Sequence, residues 1–204
     1  MIGRHRSVKL LAIALLWALQ TLLHGQSTVL DEGLQLFREG KFEQALVKLQ
    51  EAHKAAPRDA TIENVLGITE VQLGHLQAAD SHFRRSIALD PSKAAPHRNL
   101  GFSLLTAKLY ADAEPELREA SRLDPKDNFA HYYLFQVALA TGHDAEALLQ
   151  ATRAGDLIAN DPDASQGLIE AKIRTGDVRG AARDIERMEQ ADQLTRRQIA
   201  QLLR

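Results

Sequence analysis

The feature that most constrains this sequence is that it repeats. Shifted by 34 residues, the chain falls back on itself: Ala45, Ala79, Ala113, Ala147 and Ala181 form one unbroken ladder, and Leu66, Leu100, Leu134 and Leu168 a second. Gly40, Gly74, Gly142 and Gly176 form a third, and Pro57, Pro91 and Pro125 a fourth. Several ladders at one period mean an array of one supersecondary unit, each copy burying its apolar side against its neighbours.

The unit is legible in residues 60–93. Ile62, Val65, Leu66, Ile68 and Leu73 recur at helical spacing with small Gly67 among them, and after Gly74 so do Leu76, Ala79, Phe83, Ile87 and Ala88. Gly74 suits a turn because it accepts a positive φ without steric cost. Pro91 stops the second helix, whose hydrogen-bond ladder it cannot join. Helix pairs are expected on the same grounds at 28–38 with 42–55, 95–106 with 110–122, 129–140 with 144–158, and 164–174 with 178–189. Lys108 replaces the turn glycine, so this turn either holds a left-handed residue at a cost of roughly 1 kcal/mol or has another shape. Pro115 is expected to kink the helix around it or delay its start.

Leu66-Gly67, Gly74, Ala79, Phe83 and Pro91 are the residues through which the chain resembles the tetratricopeptide-repeat family, over residues 26–189. Glu63 and Glu70 stand where that family carries large aromatics. The resemblance implies an all-α, right-handed α-solenoid of about five helix–turn–helix repeats in residues 26–190. A C-terminal capping helix is expected over 191–204, with Asp192 as N-cap and Ile199, Leu202 and Leu203 as its apolar stripe. The resemblance also implies a concave groove, lined by the first helices, that takes extended peptides or partner helices.

Residues 1–25 differ from the rest. Arg4, Arg6 and Lys9 precede a nearly continuous apolar run from Leu10 to Leu23, and small Gly25 follows at a plausible cleavage position. This is the layout of a secretory signal peptide. The run of 14 residues falls short of the roughly 20 needed to span a bilayer, but an uncleaved anchor is the alternative. In both cases the repeats face out of the cytoplasm, with the protein periplasmic or secreted if cleaved. Membrane association is expected only if residues 10–23 remain.

Loss of residues 1–25 would remove three of the 25 Lys and Arg and none of the 27 Asp and Glu, leaving 22 − 27, a net charge of −5. An acidic chain without a basic run is a poor nucleic-acid ligand. No cysteine is present, which excludes disulfides and thiolate metal sites. Nucleophile-elbow, phosphate-loop and His-Glu-x-x-His patterns are absent from the sequence, so the chain reads as a non-enzyme, with an unrecognised hydrolase as a remote alternative. His97 and His131 lie one period apart, close enough to approach one another across neighbouring helices, but no ligand set accompanies them, and neither metal nor cofactor is expected. Asp161 and Asp163 flank Pro162 as turn residues.

A partner site is sought among the ladders that change chemistry. Phe37, Val71, Leu105, Leu139 and Ile173 stay apolar, as helix packing requires. Leu30, Asn64, Arg98, Tyr132 and Gln166 change at every step, as do Leu34, Ile68, Phe102, Gln136 and Glu170, and Thr61, Ala95, Phe129 and Asp163. The peptide-binding candidates are therefore Asn64, Arg98, Phe102, Phe129, Tyr132 and Gln136, with an unidentified protein or peptide as partner. The alternative for these aromatics is packing between helices. Leu30 and Leu34 stand where a C-terminal-carboxylate clamp would need basic and amide groups.

Overall fold

Each turn inside a repeat is closed by the same local chemistry. In the computed structural model, which describes residues 29–190, Gly40, Gly74, Gly142 and Gly176 have φ of 74°, 78°, 73° and 86°. The Gly74 N–H donates to the Val71 carbonyl at 3.0 Å and the His75 N–H to the Glu70 carbonyl at 2.9 Å, and the other turns repeat the pair. These bonds serve carbonyls that have no partner within the helix. Lys108 takes the first of its two expected forms: it is left-handed, φ 60°, and the turn keeps both bonds, from the Lys108 N–H to the Leu105 carbonyl and from the Leu109 N–H to the Leu104 carbonyl, each at 2.9 Å.

Two units follow along the chain, Met1–Asp90 and Pro91–Arg204. The first contains α1 (29–38), α2 (Phe42–Ala55), α3 (Ala60–Gln72) and α4 (Leu76–Leu89). The second contains α5 (Ala94–Thr106), α6 (Tyr110–Leu123), α7 (Asn128–Ala140), α8 (Asp144–Ala154), α9 (Asp156–Ala159), α10 (Pro162–Arg174) and α11 (Val178–Gln190). No strand occurs among the described residues, and the architecture is an all-α helical repeat. The leader expected at 1–25 and the capping helix expected at 191–204 lie outside the described residues.

Three expectations are corrected. The single helix expected over 144–158 is two: α8 stops at Ala154, Gly155 adopts φ 61° and ψ −130°, and α9 follows. Such a backbone is open to glycine and strained for other residues. The α10 helix starts at Pro162, two residues earlier than expected, because Asp161 caps it and a first-turn proline lacks only an N–H that needs no intrahelical partner. Of the two expectations for Pro115, the delayed start does not occur: α6 runs from Tyr110 to Leu123 with Pro115 inside it.

Within a repeat the two helices meet through matched volumes. A Cβ on Gly33 would come within 3.0 Å of Leu49, on Gly67 within 2.5 Å of the Phe83 ring, and on Gly101 within 2.5 Å of Leu117. Large side chains of the second helix thus rest on bare backbone of the first. In the fourth repeat the sizes reverse, and buried Phe135 shares a cluster with Ala151. Total volume is kept while its source changes sides, which close-packed interiors tolerate.

Beside this contact runs a polar one. Glu63, which stands where the family has an aromatic, is fully buried and accepts from His82 Nδ1 at 2.7 Å and from Arg85 at 3.3 Å. One period on, His97 Nδ1 bonds Glu116 at 2.7 Å; one further, His131 Nδ1 bonds Gln150 at 2.8 Å. Each pair joins the first helix of a repeat to its second at a separation of 19 residues. A buried polar group needs such a partner, and the pairing repeats with its acid and base exchanged. His97 and His131 thus each have a partner of their own.

Candidate protein-binding face

Five of the six candidate residues lie in the second unit, on first helices that are spatial neighbours: α5 packs against α7, and α7 against α10. Three residues of each helix form rows at matched positions: Ala95, Arg98 and Phe102 on α5; Phe129, Tyr132 and Gln136 on α7; Asp163, Gln166 and Glu170 on α10. Asn64, the sixth, is half-buried on α3 of the first unit.

An aromatic cluster occupies the α5 and α7 rows. The Tyr133 ring lies 4.9 Å from Phe102, 6.4 Å from Phe129 and 5.6 Å from Tyr132, centroid to centroid. These separations suit tilted and edge-on aromatic pairs. Phe129 is 50% exposed and is the aromatic ring of this cluster most open to solvent. Tyr133, absent from the sequence-derived candidates, links the other three. Its burial pushes its phenol above the ordinary value, with Asp127 adding to this and Arg98 opposing it.

Arg98 and Tyr132 have a structural role that the changing ladder concealed. Arg98 Nη1 donates to Asp127 Oδ2 at 2.7 Å. Asp127 Oδ1 in turn accepts from the Phe129 and Ala130 N–H groups at 3.1 and 3.2 Å, capping α7. One period on, the Tyr132 hydroxyl donates to Asp161 Oδ2, while Asp161 Oδ1 accepts from Asp163 and Ala164 at 2.9 and 3.2 Å and caps α10. Both side chains therefore reach 29 residues ahead and hold the aspartate that starts the next first helix. Tyr132 also packs against the buried cluster around Phe135, and Gln136 Nε2 donates to its hydroxyl at 2.9 Å.

The electrostatics follow. Burial, then the adjacent Asp161 carboxylate, drives the Tyr132 phenol far above its usual range. Burial works to raise Asp161, but the Tyr132 hydroxyl and the two capping N–H groups outweigh it and hold the carboxyl below its usual value. Arg98, one of the peptide-binding candidates, already has a carboxylate partner in Asp127.

Towards α10 the face becomes acidic. Asp163 is exposed, and Glu170 accepts from Gln166 at 3.0 Å. Arg174 approaches Glu170 at 3.6 Å but forms its two short bonds with Asp144, at 2.7 and 2.8 Å. Among the described residues, no group of three or more His, Asp or Glu is arranged to hold a metal ion, and no helix is long and apolar enough to cross a membrane.

The family model described as tetratricopeptide repeat matches residues 30–94 and 64–128. The rhomboid protease GluP of Bacillus subtilis is 29% identical over 111 residues, which are 52% of this chain and 20% of that protein. The chain thus spans about a fifth of that relative's length. Among solved structures, MamA from Desulfovibrio magneticus RS-1 superposes with a TM-score of 0.72 at 23% identity, covering 82% of this chain and 94% of that one. PilF of Pseudomonas aeruginosa gives 0.73 at 23% identity over 87% and 81% of the two chains. YrrB, described as a repeat protein with an unusual peptide-binding site, gives 0.65 at 18% identity over 78% and 81%.

Proposed function

From the premise that the chain belongs to the tetratricopeptide-repeat family, we propose that it is an exported, non-catalytic scaffold. It binds a protein partner across the α5–α7–α10 face. The observation that carries this reading is the half-exposed Phe129 ring, held beside Tyr133 and Phe102 on rigid, mutually packed helices. A pre-arranged aromatic surface binds with little ordering cost, and aromatic anchors supply much of the energy of protein interfaces. The peptide-binding site ascribed to YrrB supports a peptide or extended segment as ligand.

Phe129 is the exposed member of this surface, Arg98, Phe102, Tyr132 and Gln136 are half-buried around it, with Arg98 and Tyr132 also tied to the next helix, and Asn64 is a separate candidate on the first unit. The basic and apolar pattern of residues 4–23 supports export. If that run stays uncleaved, the same scaffold is tethered at the inner membrane, where it organises an envelope complex.

Site-specific photocrosslinking in the native cell tests the face. A crosslinker at position 129 should yield a discrete adduct that is missing when it is placed at Arg122, exposed on α6. Equal adducts at both positions, or an adduct at 122 alone, would place the partner elsewhere.

A further inference from the structure

The charge on the face points to the chemistry of its occupant. On the three rows the only cation is Arg98, which is engaged by Asp127 at 2.7 Å. At the α10 end, exposed Asp163 meets no cation among the described residues, and Glu170 has only Arg174 at 3.6 Å. The middle of the face is aromatic and uncharged, with Phe129 as its exposed element. The surface therefore runs from an apolar anchor point to a row one helix away in which Asp163 meets no cation among the described residues and Glu170 has one at 3.6 Å. An acidic segment laid along it would bring like charges together, whereas a basic one would complete the row.

The spacing can be stated. Packed helices lie about 8–10 Å apart, and a peptide in the polyproline-II conformation advances about 3.1 Å per residue and returns its side chains to one face every third residue. A side chain three residues from the anchor therefore reaches the next helix. We propose that the segment bound on this face carries a lysine or arginine three residues from an apolar or aromatic anchor. The anchor sits over Phe129 and Tyr133, and the cation sits between Asp163 and Glu170. This rests on the protein-binding reading above and adds the partner's charge and register to it.

The test is selection of random twelve-residue peptides displayed on phage, with the intact protein as bait and its Phe129→Ala variant as counter-bait. Peptides that depend on Phe129 should be enriched in Lys or Arg three residues from an aromatic or aliphatic residue. For a selected peptide, the double variant Asp163→Lys, Glu170→Lys should weaken binding about fivefold or more at low salt, with the difference shrinking as salt rises. Circular dichroism checks that both variants are folded. Phe129-dependent peptides without a basic preference, or with an acidic one, would overturn the charge assignment and leave the binding face standing. Recovery of no Phe129-dependent peptide would overturn both.

Discussion

Replacing Tyr132 by Phe isolates one tie between successive repeats. The substitution keeps the ring that packs on the cluster around Phe135 and removes the hydroxyl that donates to Asp161. Asp161 still caps α10 through its other oxygen, to Asp163 and Ala164 at 2.9 and 3.2 Å. The loss is thus the bond to the Asp161 carboxylate, together with the weaker one that the hydroxyl accepts from Gln136 at 2.9 Å. Hydrogen bonds to a carboxylate contribute about 1.5–3 kcal/mol when well shielded. Tyr132 is only part-buried, so about 1 kcal/mol is the expected cost. For a chain of this size that lowers Tm by about 2–4 °C.

Because stability in a repeat array is a sum of local terms, the effect should concentrate in the last repeat. Amide hydrogen exchange at the start of α10 should accelerate while α5 stays unchanged. The pH dependence has a definite sign. A carboxyl held below its ordinary value stabilises the fold above its unfolded pKa, and that stability is lost as pH falls through the folded pKa. The gap between wild type and Tyr132→Phe should therefore be widest at neutral pH. It should close as pH falls below about 3.9, the ordinary Asp value. An unchanged melt and unchanged α10 exchange at pH 7 would show that this tie has no energetic weight.

Lys108→Gly should raise stability by about 1 kcal/mol in a thermal melt, since it relieves the left-handed backbone at φ 60° while leaving the turn's two bonds in place. Gly67→Ala should lower it by about 1–3 kcal/mol, because its methyl would sit 2.5 Å from the Phe83 ring; a melt equal to wild type would show that α3 and α4 can separate freely. Trp17 is the only tryptophan and lies in the apolar run, so protein purified from its native compartment should lack tryptophan emission and match the mass of a chain begun after residue 25. Retained emission would identify the tethered form.

The period of 34 residues, the helix pairs, their turns and their closing residues were all determined by the sequence. Each depends on neighbours a few positions apart: a glycine that admits positive φ, a proline that ends a ladder, an apolar stripe of helical spacing. Repetition then reinforced every local signal with further copies, which is why even Lys108 could be placed in its turn. Gly155 shows the limit of this reading. It occupies a helix-spaced stretch, and its effect on the second helix of the fourth repeat appeared only in three dimensions.

What only the tertiary structure decided was the use of the polar ladders. Arg98 and Tyr132 change chemistry from repeat to repeat, which at sequence level looks like freedom from packing. In space each meets an aspartate 29 residues away. The varied side chains thus do one job with different groups, a guanidinium at one step and a phenol at the next. Asp127 and Asp161 themselves lie one period apart and could have disclosed the tie. Tyr133 was legible only in part: it follows Phe129 by four residues on one helix, but its contact with Phe102 depends on the rotation of α7 against α5. Pairings within a turn of helix follow from spacing alone, but those across 19 or 29 residues depend on the angle at which packed helices present their faces. That angle is set by volumes such as Gly67 against Phe83, summed over the whole contact.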